Sequence, residues 1–543
     1  MRRILSFALL TSVIAAAQTT PMRGIHTHYE WKPYTSKAQW EPRRAELQQR
    51  ILTAAGLDPM PPKTAIHARY VKQTQTSMAV IHTLLLETLP GFFVGANLYK
   101  PLKAPAAKMP AVLVPHGHWP NGRVENIPLY SMPALAMNLA RQGYVVLTVD
   151  MVGYNDTDQL PHRFQSAEMD LWSYTPLGLQ LWNGIRALDF LSSMKEVDAN
   201  RLAVTGASGG GTQTFLLAAV DDRVKVAAPV NMISASMQGG CVCEGAPGLR
   251  VDTFNVELAA IVAPRPMLMV SCTGDWTRNT PNQEFPLMRK MYDLYGSDAR
   301  VENVHIQAEH NYNRESREAV YRFLAKHLRP DLDDAELSEQ RIDPFNPADL
   351  LSGGAAQKKK TAAELFTAWQ TMSQEQTRTS GTAELRERLR RVFHLDHISS
   401  RPLQTSWRPG KGSPRLIIQS GPAEVPPDLL NLERPVMVLR VDRYTDPAAV
   451  AAAQSYHTYN LADGVLQVQD ILRAIQSIPG DESVEVVTLL DEMLPAALYA
   501  SALSARNARL GAKDALAKAG KQPFFVPGIQ RAGGTLAALR VGR

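Results

Sequence analysis

Short apolar runs alternate with longer amphipathic stretches from Ala111 onward. The runs Ala111 to Val114, Tyr144 to Val149, Leu202 to Thr205, Val224 to Ala228, Met267 to Val270 and Val304 to Gln307 have the length and content of buried strands. Between them Ser131 to Arg141, Pro176 to Ser192, Gly211 to Val220, Gln283 to Tyr295 and Arg314 to Leu328 carry apolar positions at helical spacing. This alternation predicts an α/β fold, a mainly parallel sheet with helices on both faces. Upstream, a polar, helical stretch to about Leu57 precedes three β-rich segments, Ala65 to Val71, Met78 to Leu86 and Phe92 to Tyr99.

From about Arg329 to Lys360 the periodicity lapses into acidic text and then into Pro, Gly and Lys, so a domain boundary is expected there. The expected organisation is a catalytic domain over residues 18–330, a linker over 331–362 and a second α/β domain over 363–543. In the latter Leu416 to Gln419, Val436 to Val441 and Val484 to Leu489 read as strands, with helices near Asp463 to Gln476 and Pro495 to Ala505. A length of 543 residues fits two domains, since single cores stop growing near roughly 250 to 300 residues.

The second domain reads as a partial repeat of the first. Val145 to Asp150 matches Val436 to Asp442 in pattern, Asn183 to Leu191 matches Val465 to Ile475, and Ala203-Val204-Thr205 matches Val486-Val487-Thr488. On that alignment Asp491 stands where the first copy has Ser208, so the repeat is expected to lack a nucleophile. Any two α/β segments share some of this likeness.

Gly206-Ala207-Ser208-Gly209-Gly210 sits between a predicted strand and a predicted helix. A sharp turn there needs flanking residues without bulk and lifts the hydroxyl above the sheet edge. A nucleophilic serine needs a base, and the base an orienting carboxylate, in the chain order Ser, acid, His. Asp275, in Cys272-Thr273-Gly274-Asp275-Trp276, and His310, in Glu309-His310-Asn311-Tyr312-Asn313, each follow a strand. Asp275 has a blander reading as a turn cap, and Glu244 competes with it as the acid. His305 and His327 fall within a strand and near a helix end, away from such a loop. The oxyanion needs backbone donors, expected from Gly209 and from Gly117 or His118 in Pro115-His116-Gly117-His118-Trp119. Trp119 and Trp276, with Trp172, Tyr154 and Tyr312, fall where they could rim a site for a sugar or aromatic ester, although core packing is the commoner use of any one of them.

Composition narrows the class. A charge of +6 arises from scattered residues rather than a basic stripe, which argues against a nucleic-acid partner, and Lys358-Lys359-Lys360 reads as solvated linker. Met1-Arg2-Arg3 followed by Ile4 to Ala17 reads as a signal peptide cut after Ala17, too short to span a bilayer, so a secreted or periplasmic protein without a membrane anchor is expected. The three cysteines, Cys241, Cys243 and Cys272, form no disulfide scaffold; one of the first two joined to Cys272 is the more plausible staple. No His/Cys spacing supplies a metal site, and His116 with His118 lacks a third ligand, so neither metal nor cofactor is expected.

With these residues in place, Phe92 to Leu328 resembles the acetyl xylan esterase and dienelactone hydrolase branches of the α/β-hydrolase superfamily. The carriers are Gly95 to Pro101, Pro115-His116-Gly117-His118, the turn at Ser208, Gly274-Asp275 and His310 to Asn313. The resemblance implies hydrolysis of carboxylic esters through an acyl-enzyme, often of acetyl groups on plant polysaccharide, without cofactor. Glucuronoyl esterases are near relatives, but they carry Arg after the serine where this chain has Gly209. A peptidase of the prolyl oligopeptidase type lacks support, because the N-terminal region has no propeller repeats. A non-catalytic scaffold remains the reading from another class.

Overall fold

Eleven strands form in the first part of the computed structural model, which describes residues 22–354, 359–430, 433–511 and 514–542. They are β1 His67–Gln75, β2 Ala79–Leu89, β3 Phe92–Pro101, β4 Met109–Pro115, β5 Asn126–Ile127, β6 Tyr130–Ser131, β7 Val145–Val149, β8 Val197–Ala207, β9 Val224–Val230, β10 Met267–Gly274 and β11 Val301–Glu309. Nine of them make one sheet in the order β1-β2-β3-β7-β4-β8-β9-β10-β11, while β5 and β6 form a small separate ribbon. β1, β2, β3 and β7 pair antiparallel in succession, and from β7 to β11 every pairing is parallel. The expected signal peptide, residues 1–17, lies outside the described residues.

The sequence pattern explains this layering. β4 and β7 are buried along their whole length, as continuous apolar runs in the middle of a covered sheet must be. Ala111 and Leu113 face one core with Trp182 and Phe215, whereas Val112 and Val114 face the other with Leu135 and Leu324. The first core is covered by the helices Lys37–Ala54, Pro176–Ser193 and Gly209–Val220, the second by Met132–Arg141 and Arg314–Leu328. Ser131, Thr175 and Asn313 cap three of these helices through their side chains, which fixes where the chain leaves each loop. Among the described residues, no helix is long and apolar enough to cross a membrane.

The domain boundary falls elsewhere than the composition suggested. One unit comprises Arg23–His394, Arg443–Val465 and Pro523–Arg543; the other includes Leu395–Asp442 and Leu466–Gln522. The expected linker is therefore part of the first unit. Leu337 and Leu350 are buried in its second core, Asn97 and Arg123 donate to the Leu350 carbonyl, and Ser352 donates to Asp156. Arg123, fully buried, joins this strap to Asp150 and Asp156 by ion pairs. The helices Ala362–Thr379 and Thr382–Val392 follow in the same unit, where Trp369 donates its indole N–H to the Trp172 carbonyl at 3.0 Å.

The second unit holds β12 Gln404–Arg408, β13 Arg415–Gln419, β14 Val436–Arg440, β15 Val484–Thr488 and β16 Ala508–Leu510, in the order β12-β14-β13-β15-β16. β12 is antiparallel to β14 and the remaining pairings are parallel. This is the order and direction of β3-β7-β4-β8-β9. The register agrees as well: Val112 opposes Val146 and Ala203, and Leu416 opposes Met437 and Val486.

Candidate active site

Ser208 occupies the turn between β8 and the helix Gly209–Val220, at φ 58° and ψ −125°. A left-handed φ on a residue other than glycine is strained and persists only where the surroundings enforce it. Here the enforcement is crowding by backbone. A Cβ on Gly206 would lie 2.3 Å from the Pro115 carbonyl oxygen, and one on Gly210 equally close to the same atom, so the turn closes only without side chains there. The Ser208 amide donates to the Val230 carbonyl at 3.1 Å, anchoring the turn to the end of β9.

The loops after β10 and β11 carry Asp275 and His310, the residues expected as acid and base. His310 Nδ1 donates to Asp275 Oδ2 at 2.6 Å, and the other carboxylate oxygen accepts the Thr277 amide and hydroxyl, each at 2.6 Å. Burial pushes the Asp275 carboxyl up, but the hydrogen bonds from His310 and Thr277 outweigh it and hold its pKa below the usual value. Since Nδ1 carries the proton, Nε2 presents its lone pair, and that shielded atom has no hydrogen-bond partner. No hydrogen bond therefore joins His310 Nε2 to Ser208. The His310 loop is held firmly: Tyr312 Oη and Thr205 Oγ1 lie 2.6 Å apart, and Asn231 donates to the Asn311 carbonyl. Glu244, the competing acid, accepts instead from the amides of Gly240 and Cys241 at 2.9 Å.

The loop after β4 packs against the turn. A Cβ on Gly117 would meet the Trp119 ring at 2.5 Å and the Ala207 carbonyl oxygen at 2.9 Å, so only glycine fits. His116 is fully buried. Its Nε2 accepts the Met151 amide and its Nδ1 donates to the Gly117 carbonyl, while burial lowers its pKa to about 3 and keeps it neutral. Trp119 is buried and stacks on Tyr130 at 4.0 Å, with its ring 6.5 Å from that of His310. Trp276 is only partly buried, 4.6 Å from the His310 ring, and lines with His310, Arg278 and His26 a cavity of about 560 Å³. Of the remaining aromatics, Tyr312 is consumed by the bond to Thr205, and Tyr154 packs its ring 4.9 Å from that of His116.

Two expectations fail. All three cysteines are free and buried, so no staple to Cys272 forms. Metal-ligating side chains do gather in one place: His118, His162, Cys241 and Cys243 bring their ligand atoms within 4.8 Å of one another. The partner of His118 is therefore not His116. His162 was missed because it lies on the loop after β7 and the cysteines on the loop after β9, so no local spacing announces the group.

A dienelactone hydrolase family model matches residues 94–243. The provisionally named hydrolase YtaP of Bacillus subtilis (strain 168) is 26% identical over 308 residues, 52% of this chain and all of its own. The solved structure of methylesterase BT1017 superposes with a TM-score of 0.54 at 30% identity, over 62% of this chain and 75% of its own. A glucuronoyl esterase from Solibacter usitatus superposes with a TM-score of 0.43 at 15% identity, over 57% of this chain and 98% of its own. The sheet order, the strained turn at Ser208, the family-model match and the likeness to BT1017 together place the chain in the α/β-hydrolase superfamily, as a hydrolase with a dienelactone hydrolase family domain.

Proposed function

We propose that the chain is a serine esterase that cleaves carboxylic esters, in the first instance acetyl esters on carbohydrate, through an acyl-enzyme. The observation that carries this reading is the short Asp275–His310 hydrogen bond, which leaves His310 Nε2 unpartnered, together with the strained backbone of Ser208. Ser208 Oγ attacks the carbonyl carbon while His310 Nε2 takes its proton; collapse of the tetrahedral adduct expels the alcohol, which receives that proton. Water then repeats the sequence on the acyl-enzyme and releases the acid. Asp275 orients the imidazole and stabilises its protonated form. The oxyanion is held by the Gly209 amide, at the N-terminus of the helix that follows, and by an amide of Gly117 or His118. Trp276 and Trp119 border the substrate.

A second substrate reading rests on BT1017, named a methylesterase: the ester would then be a methyl ester, with the larger group on the acyl side. Arg278, on the cavity beside His310, suits an acidic polysaccharide. Comparing acetylated xylan with methyl glucuronate as substrates separates the two. Ser208→Ala should keep the fold and lose 4-nitrophenyl acetate hydrolysis by on the order of 10³-fold or more; undiminished turnover would remove the assignment.

The second unit fits a degenerate copy of the hydrolase sheet, without a nucleophile. Export of the protein after cleavage near Ala17 belongs to the same reading, and N-terminal sequencing of the mature protein checks it, Gln18 being the expected first residue.

A further inference from the structure

We propose that His118, His162, Cys241 and Cys243 form a tetrahedral site for a zinc-class divalent cation, which ties together three loops beside Ser208. His118 Nε2 lies 3.0 Å from Cys243 Sγ, and His162 Nε2 lies 3.4 Å from Cys241 Sγ. A tetrahedral zinc with two thiolates and two imidazoles has ligand-to-ligand edges of about 3.4–3.8 Å, from bond lengths near 2.3 Å to sulfur and 2.0–2.1 Å to nitrogen. All four ligand atoms already lie within 4.8 Å of one another, so adjustments of under about 1 Å would complete the shell.

A hydrogen-bonded His/Cys cluster without metal is the alternative, and two features weigh against it. His162 Nδ1 donates to the Val152 carbonyl at 2.7 Å, which fixes the tautomer and aims the Nε2 lone pair at the sulfurs, as the outer hydrogen bond of a metal-bound histidine does. The cysteine loop is also tied down from behind. Glu244 accepts the amides of Gly240 and Cys241, and Gln213 donates to the Cys243 carbonyl. Charge favours occupancy too, since two thiolates with one dication make a neutral centre. Soft sulfur with imidazole selects zinc over magnesium or calcium.

Four protein ligands leave no open position, so the ion would be structural rather than a Lewis acid for the ester. Its place gives it a consequence. The ligands come from the loops after β4, β7 and β9, in a sheet where these strands and β8 are neighbours. A Cβ on Gly209 would lie 2.7 Å from His118 Cε1, so the His118 ring rests on the backbone whose amide is assigned to the oxyanion. Holding His118 therefore holds that loop against the turn. This consequence rests on the esterase reading; the site does not.

The test is metal analysis of the full-length protein, purified under reducing conditions without chelator. About one zinc per chain is expected, and cobalt reloaded after chelation should give a thiolate-to-cobalt charge-transfer band. Cys243→Ser and His162→Ala should each drop below about a tenth of an equivalent, and Cys272→Ser should retain the metal. Should the ligand variants fail to fold, thiol labelling of the wild type decides: Cys241 and Cys243 should be protected with metal and react after chelation. Folded, reduced wild type that binds under about a tenth of an equivalent of zinc and shows no cobalt–thiolate band overturns the site, as does native protein whose intact mass shows a Cys241–Cys243 disulfide and no metal. None of these readouts uses ester turnover, so the outcome is separate from that of Ser208→Ala.

Discussion

At the scale of single residues, local geometry was legible wherever one position had to satisfy one strict rule. The Gly206 to Gly210 string announces a turn in which a Cβ has no room, and the structure puts Ser208 at φ 58° there. The sequence put Asp275 ahead of Glu244 by its loop after a strand, but the contact itself depends on which carboxylate reaches His310, and in the structure that is Asp275. The metal-ligating group was illegible for the same reason, its members being separated by up to three loops. The Asp275–His310 bond makes a sharp prediction. Asp275→Asn preserves the shape of the site but presents an amide, which favours the imidazole tautomer with Nδ1 unprotonated and leaves Nε2 unable to accept the serine proton. We expect kcat to fall by about 10³–10⁴-fold with little change in KM. Steady-state kinetics beside a circular dichroism spectrum checks it; a loss under about tenfold would mean that Asp275 does not set the tautomer of the catalytic base.

At the scale of elements, the apolar runs located most strands because burial on both faces demands continuous apolar text, as β4 and β7 show. β12 escaped notice because Gln404–Arg408 is exposed throughout and has no buried face to mark it. The strap Leu337 to Ser352 was misread as linker for a related reason. Its text is polar because only isolated side chains, Leu337 and Leu350 among them, enter the core, while main-chain carbonyls, Ser352 and the Glu339 carboxylate, which accepts from Arg317 and Tyr321, are among its other attachments. Leu350, 1% exposed, is then a structural residue and not a spacer. Leu350→Ala should destabilise the hydrolase unit by about 2–5 kcal/mol. Tryptophan fluorescence during denaturation reads this selectively, since all tryptophans except Trp407 belong to that unit. A midpoint unchanged from wild type would return the segment to the status of a linker.

At the scale of the whole molecule, two sheets share one strand order but only one can assemble the proposed machinery. The second sheet stops at β16, the equivalent of β9, and among the described residues it has no counterparts of β10 and β11, the strands that deliver Asp275 and His310. On the proposed repeat, which aligns Asp491 with Ser208, Leu489 and Met493 fall where Gly206 and Gly210 let the first turn close against Pro115, and the chain takes a short 3₁₀ turn at Asp491–Met493. A carboxylate at the nucleophile position, with neither base nor room, cannot be activated as a serine is. The chain should therefore react with a fluorophosphonate once, at Ser208, although it contains two copies of the strand pattern. Intact-mass analysis should show a single adduct on wild type and none on folded Ser208→Ala, with peptide mapping placing it on the segment containing Gly206 to Gly210. A second adduct between Leu395 and Gln522 would mean that the repeat keeps a reactive centre. No adduct on folded wild type would turn the reading toward a scaffold, because a serine activated as proposed has no reason to stay inert.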